Sequence, residues 1–230
     1  MARTPLQSSG VSDSDRNVTP PAADDLDGYD DLEGFDADEF LQEWQEADRT
    51  AVELLREALP GVAEASAPQE ALATASQRVR DRLTDWPYRH LAAAADWGRR
   101  LPADDETLWT QAAGALVSMH GESGLGSHEE SSLMALQHAD WAGAVIGLTR
   151  AGVGTRAWPE DLFDLADKCP EIEGSYEPDD REPIVFAFGL MVPIWEALGA
   201  LDEHRRLTPL GHWGLPRALA WAWDGSLDEE

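Results

Sequence analysis

The feature that most constrains this chain is the stretch Arg181–Trp223, the longest apolar segment of its 230 residues. Within it, Ile184–Trp195 carry no charge, but a membrane-spanning helix needs about 20 apolar residues. The run also contains Pro193 and is closed by Glu196. The stretch therefore predicts a buried helix, which Pro193 should bend or restart because proline removes a backbone donor. The core-facing stripe at helical spacing is Ile184, Phe188, Met191, Trp195 and Leu198.

A second helix is predicted after a polar turn. Asp202–Arg206 are polar, and Thr208 followed by Pro209 is typical of a helix N-terminus. A threonine caps the first turn, and proline at the first helical position needs no donor. The helix should run to about Trp223 and bury Leu215 and Leu219.

The end of this stretch has a local pattern of its own. A helix ends in Leu-Gly-x-Leu, a short turn carries two arginines, and Arg-Leu-Thr-x-Leu-Gly precedes the next helix. This arrangement, in Ala197–Leu201 and Arg206–Gly211, resembles the C-terminal part of winged-helix domains. In that family a recognition helix leads through a β-hairpin wing to a packing helix. Only His204–Leu207 are available for a wing, so the resemblance implies a short or vestigial hairpin.

The remaining sequence favours helices throughout. No alternation of apolar and polar residues extends beyond four positions, whereas apolar residues at helical spacing recur between Pro and Gly breaks. The predicted fold class is all-α, a multi-helix bundle with a C-terminal winged-helix-like module. The ten tryptophans fall about one per helix and are predicted to fill its core. The other predicted helices are 36–59, 68–84, 88–100, 102–120, 128–150 and 159–168.

Composition divides the chain into four parts. Residues 1–23 are rich in Ser, Thr, Pro and Asp and should be disordered, because they have almost nothing apolar to bury. Residues 24–39 form an acidic arm with single apolar side chains. Residues 40–127 are predicted to be an N-terminal helical region, and residues 128–230 a C-terminal, winged-helix-like region.

The acidic arm is the first candidate binding element. Its acids alternate with Tyr29, Leu32 and Phe35, and such segments often fold on a basic, apolar partner surface. Two other interpretations stay open: a solvated linker leading into a helix, and a mimic of the charge spacing of nucleic acid. Tyr29, Leu32 and Phe35 are therefore candidate partner-binding residues.

The charge opposes binding to polyanions. The chain has 45 acidic and 17 basic residues, a formal net charge of −28, which repels nucleic acid and anionic membranes. The one local exception is the acid-free window His204–Trp223. Its arginines either pair with acidic surface groups near helix ends or contact DNA, in which case Arg205, Arg206 and Arg217 are the candidates.

The sequence contains no complete set of residues for catalysis or for metal binding. A single cysteine, Cys169, excludes an internal disulfide and a cysteine-based zinc site. His128 and Glu129 lack the second histidine of a zinc helix, and the loop Gly121–Leu125 ends in leucine where a nucleophile elbow has glycine. We therefore expect no enzymatic activity, cofactor or metal. The polar N-terminus and the single cysteine favour the cytoplasm.

These observations predict a non-enzymatic cytoplasmic protein that acts by binding another protein, with no membrane contact. Nucleic acid is the less favoured partner. The alternative is a DNA-binding transcriptional regulator that uses its winged-helix-like module; an enzyme is the third choice. The sequence does not identify the partner.

Overall fold

The computed structural model describes residues 37–95, 97, 100–117, 136–172, 176, 179–223, 225 and 227. The predicted tail lies outside these ranges, and so does the acidic arm up to residue 36, including Tyr29, Leu32 and Phe35. Leu41–Glu230 form one compact unit.

The described residues are helical, which confirms the all-α class. Two isolated β-bridges are the only strand-like pairings within these ranges, one between Arg156 and Arg206 and one between Leu201 and Leu207. No helix in the described ranges is long and apolar enough to cross a membrane. The helices are α1 (Ala37–Ala58), α2 (Gln69–Asp81), α3 (Tyr88–Ala94), α4 (Asp105–Gly114), α5 (His138–Ala151), α6 (Pro159–Asp167), α7 (Arg181–Ala197) and α8 (Pro209–Ala222).

Three predictions about helix bounds were wrong. The helix predicted over 88–100 ends at Ala94, because the buried Trp97 donates its indole N–H to Gln111 of α4 at 2.7 Å and holds the chain there. The helix predicted over 102–120 ends at Gly114, and the helix predicted over 128–150 begins at His138, with Gln137 as its N-cap. Residues 118–135 lie outside the described residues. Of the two effects predicted for Pro193, a bend or a restart, the restart does not occur, because α7 runs without interruption through Pro193.

The core forms where α5 packs on α6 and α8, α4 on α8, and α6 on α7. The predicted stripe of α7, from Ile184 to Leu198, is buried. The prediction that tryptophans fill the core was wrong for Trp86 and Trp158, which are exposed. It is confirmed for the six that are buried: Trp97, Trp109, Trp141, Trp195, Trp213 and Trp223.

Helices α4 and α8 approach closely because small residues lie at their contact. The ring of Trp109 packs flat against Gly214, where a Cβ atom would lie 2.7 Å from the ring carbon Cη2. Trp109 also lies near Trp213, with ring centroids 6.2 Å apart. The large side chain of Trp109 on α4 thus occupies the space that Gly214 on α8, which has no side chain, leaves open.

The C-terminal end of α7 is held by side chains from the first half of the chain. The carbonyl of Ala197 accepts hydrogen bonds from Tyr88 Oη at 2.9 Å and from the Arg78 guanidinium at 3.1 Å. The indole of Trp109 donates to the carbonyl of Leu198 at 2.9 Å. The last carbonyls of a helix have no partner within it, so these bonds join α2, α3 and α4 to α7.

Candidate functional site

The connection between α7 and α8 is a tight hairpin turn around Asp202. Its carboxylate accepts the backbone N–H groups of His204 and Arg206 at 2.8 and 2.9 Å, and these bonds lower the pKa of Asp202. Arg205, between them, has a φ of 55°, a left-handed conformation that the two flanking hydrogen bonds enforce. Leu201 and Leu207 are buried and pair across the turn.

A third segment, from the connection between α5 and α6, pairs with the outer side of this hairpin. Gly154 N–H donates to the carbonyl of Leu207, and Leu207 N–H donates to the carbonyl of Thr155, both at 2.8 Å. Ala157 N–H reaches the carbonyl of Arg205 at 2.8 Å. These bonds fix the hairpin between α6 and α8 and set the directions of its arginine side chains.

Arg205 is bound on two sides by its own protein. Its Nε donates to Glu196 of α7 at 3.0 Å, and its guanidinium carbon lies 4.2 Å from the ring centroid of Trp158. Trp158, just before α6, is 45% exposed. The carboxylate balances the charge of Arg205, and the guanidinium covers one face of the indole.

The other two nucleic-acid candidates bind backbone carbonyls. Arg206 is exposed and donates to Gly154 at 3.1 Å. Arg217, in α8, donates to the carbonyls of Val62, Ala63 and Ala65 at 2.7, 2.6 and 3.2 Å, in the loop after α1. The structure therefore gives the three arginine side chains three different sets of partners, and Arg217 faces a different element from the hairpin.

The outward side of α7 carries apolar side chains. Phe186 is 49% exposed, and Leu190 and Pro193 follow it at helical spacing, both half-buried. We name Phe186, Leu190, Pro193 and the neighbouring Trp158 the α7 face. Trp158 precedes Pro159, whose Cγ would lie 3.9 Å from a Cβ atom at Gly189 of α7.

This helix is also poor in positive charge. Its one basic residue is Arg181, at its first position. Arg181 donates to Asp164 of α6 at 3.1 Å and lies 4.6 Å from the ring centroid of Phe163. The α7 face is therefore apolar, with the exposed carboxylate of Glu182 one turn before Phe186.

The buried titratable groups serve the fold. Tyr176 donates its hydroxyl to Asp140 at 2.6 Å, while Asp140 accepts the N–H of Gln137 and so caps α5. Burial raises the pKa of Asp140 and of Tyr176. The thiol of Cys169 is buried, and its pKa is raised for the same reason. It donates to Glu171 at 3.3 Å.

Several histidines and glutamates are close together in the sequence from His120 to His138. Most of them lie outside the described residues, and so does the loop from Gly121 to Ser127. His138 is described, and its Nε2 lies 2.6 Å from Asp48 of α1. Within the part of the chain that the structure describes, no three His, Cys, Asp or Glu side chains form a group that could hold a metal ion.

Sequence reasoning missed the contact between Trp158 and Arg205, because it placed Trp158 in the core. The two residues are far apart in the chain, and no local pattern links them. Comparisons with protein-family models, with curated proteins and with solved structures found no match for this chain.

Proposed function

We propose that this protein is a non-enzymatic cytoplasmic protein that acts by binding another protein. Its binding elements are the α7 face and the acidic arm with Tyr29, Leu32 and Phe35. The observation that carries the proposal is the composition of the α7 face, which is aromatic and apolar, bordered by acids, and exposed on a helix with one basic residue. Exposed aromatic side chains are enriched where proteins bind one another.

The partner surface is expected to be apolar and basic. A net charge of −28 steers the protein towards cationic surfaces and away from anionic ones. An apolar centre would complement Phe186 and Leu190, and a positive rim would meet the exposed carboxylate of Glu182. The same surface would suit the acidic arm, so both elements serve one kind of partner.

The winged-helix resemblance is part of this proposal. The order α7, hairpin turn, α8, with Thr208 and Pro209 opening the last helix, supports a winged-helix-like module. In this interpretation α7 takes the position of a recognition helix. The module has lost strong DNA affinity because the one basic residue of α7, Arg181, and the nearby Arg205 are each hydrogen-bonded to a carboxylate of the protein itself, Asp164 and Glu196.

The proposal is tested by co-purification with the full-length protein and three variants. Phe186→Asp places a charge in the α7 face; Val153→Asp is the matched control, since Val153 is 56% exposed on a different element. We expect a stoichiometric partner with wild-type protein and Val153→Asp, lost with Phe186→Asp. The third variant is a chain that starts at Glu43 and lacks the acidic arm. It should recover less partner than the full-length protein if the arm contributes to binding. Equal recovery by all four proteins would contradict the proposal.

The alternative function, DNA binding through Arg205, Arg206 and Arg217, is favoured by the acid-free window that contains them. Gel-shift assays at about 50 mM and about 200 mM salt separate the two functions, because phosphate contacts make affinity fall steeply with salt. We expect no shift at the lower concentration. A shift that disappears at the higher salt and with Arg206→Gln would establish the alternative.

A further inference from the structure

A cleft of about 640 Å³ lies between α2 and the beginning of α8. One wall is the side of α2 formed by Ala71, Thr74 and Arg78, which share a helix face at spacings of three and four residues. The opposite wall is formed by Pro209 and Leu210. The volume falls within the range of small-molecule sites.

Arg78 is the unusual group of this cleft. It is half-buried, and its guanidinium donates a hydrogen bond of 3.1 Å to the carbonyl of Ala197. A guanidinium has five N–H donors, and no carboxylate of the described chain pairs with it. The neighbouring arginines of the same stretch do have such partners: Arg80 pairs with Asp105 at 2.6 Å and Arg82 with Asp85 at 3.0 Å.

The guanidinium of Arg78 is held in place before any ligand arrives. Its bond to the carbonyl of Ala197, which also accepts from Tyr88, fixes one side of the group. The remaining donors form a planar fork that matches a carboxylate. A fixed donor loses little conformational freedom on binding.

The floor of the cleft is apolar, because Ala75 and Leu210 are buried beneath it. Glu70 lies at the end of the cleft opposite Arg78. It is eight residues before Arg78 in α2 and therefore about 12 Å away along the helix. A second carboxylate on the ligand would meet Glu70 and be repelled. The site thus suits one negative charge followed by a short apolar group.

We propose that this cleft binds a monocarboxylate on a short aliphatic group, with the carboxylate on Arg78 and the apolar part over Ala75 and Leu210. This site is separate from the α7 face and does not depend on the proposed function. The same chemistry occurs in a free aliphatic acid and in the C-terminal residue of a peptide.

Calorimetric titration of the full-length protein tests the proposal with two pairs of probes. Octanoate is compared with octanamide, and acetyl-Leu-Leu with a free C-terminus is compared with its amide. We expect saturable binding of at least one carboxylate and about tenfold weaker binding of its neutral partner, because a hydrogen bond to a charged group contributes about 1.5–3 kcal/mol. If octanoate binds and the peptide does not, the ligand is a free aliphatic acid. If the peptide binds and octanoate does not, the ligand is the C-terminus of a peptide chain.

Two variants and a control locate the binding. Arg78→Gln should weaken it about tenfold, and Arg89→Gln, on the exposed side of α3, should leave it unchanged. Because Arg78 also holds α7, Ala71→Trp provides an independent change that fills the cleft and keeps the guanidinium. Unchanged affinity in both Arg78→Gln and Ala71→Trp overturns the proposal. So does equal binding of a carboxylate and its neutral partner, or no saturation by either carboxylate up to about 10 mM.

Discussion

Several arginine side chains in this protein bind backbone carbonyls where helices end. Arg150 donates to the carbonyl of Ala58 at the end of α1, Arg217 to the loop that follows, and Arg78 to the end of α7. Carbonyls there lack partners within the helix and carry partial negative charge. Arg217, the one arginine of α8, therefore supports the fold.

Arg150 also sets the ionisation of Glu171. Its guanidinium donates to both carboxylate oxygens, at 2.6 and 2.8 Å, and holds the pKa of Glu171 at about 2, below its ordinary 4.5. A lowered folded-state pKa stabilises the protein above pH 4.5, and this contribution is lost as the pH falls towards 2.

We therefore expect the difference in unfolding free energy between wild type and Glu171→Gln to be constant above about pH 5.5 and to shrink below about pH 4.5. Urea denaturation at intervals from about pH 6 to about pH 3 measures it. Asp140, whose pKa is raised by burial, is present in both proteins, so its contribution cancels. A difference independent of pH over this range would rule out the pairing of Glu171 with Arg150.

Gly214 is required by the ring of Trp109. We expect Gly214→Ala to destabilise the protein by about 1–3 kcal/mol, because the added carbon overlaps a buried ring in a packed core. Gly189→Ala is the control: its Cβ would meet Pro159 Cγ at 3.9 Å, an ordinary van der Waals distance, and alanine is the better helix former. This variant should be neutral or stabilising by up to about 1 kcal/mol. Chemical denaturation of both variants gives the comparison, and equal effects would contradict it.

At the scale of elements, the sequence predicted best where a helix begins with a chemical signal. Thr208 and Pro209 open α8 as expected, with Thr208 accepting the N–H of Gly211 at 3.0 Å. Ends set by tertiary contacts were missed, as in α3, which stops because Trp97 binds α4. A helix cap is local and can be recognised from about four consecutive residues. A tertiary contact such as that of Trp97 with α4 depends on a helix elsewhere in the chain.

Thr208→Ala should cost about 0.5–2 kcal/mol, since it removes the cap of α8. The loss includes the bond that its hydroxyl donates to the carbonyl of Gly199 at 2.7 Å. Thr50→Ala, which removes an exposed hydroxyl bonded within α1, should change stability by less than about 0.5 kcal/mol. The shift of the denaturation midpoint at constant slope is the measurement. Comparable shifts in the two variants would show that the cap is not stabilising α8.

At the scale of the whole molecule, the helices before and after residue 127 share one core. Trp109 of α4 packs on Trp213 of α8, and it binds the end of α7 through Leu198. Leu41–Glu230 accordingly form one compact unit.

This unit is expected to unfold in a single transition. Tryptophan fluorescence and far-ultraviolet circular dichroism should give coincident urea curves, because the buried tryptophans lie on helices from both halves. Two separated transitions, with fluorescence changing before helicity, would instead support two independently stable regions.

The sequence by itself determined the all-helical class, the burial of the α7 stripe and the start of α8, because periodicity and capping act over a few residues. It also determined the negative charge, a sum over side chains. Only the tertiary structure decided which partners Arg78, Arg205 and Arg217 have and which tryptophans reach the surface. Those outcomes depend on pairings such as Arg205 with Trp158, between residues far apart in the chain, whose proximity only the packing of the helices creates.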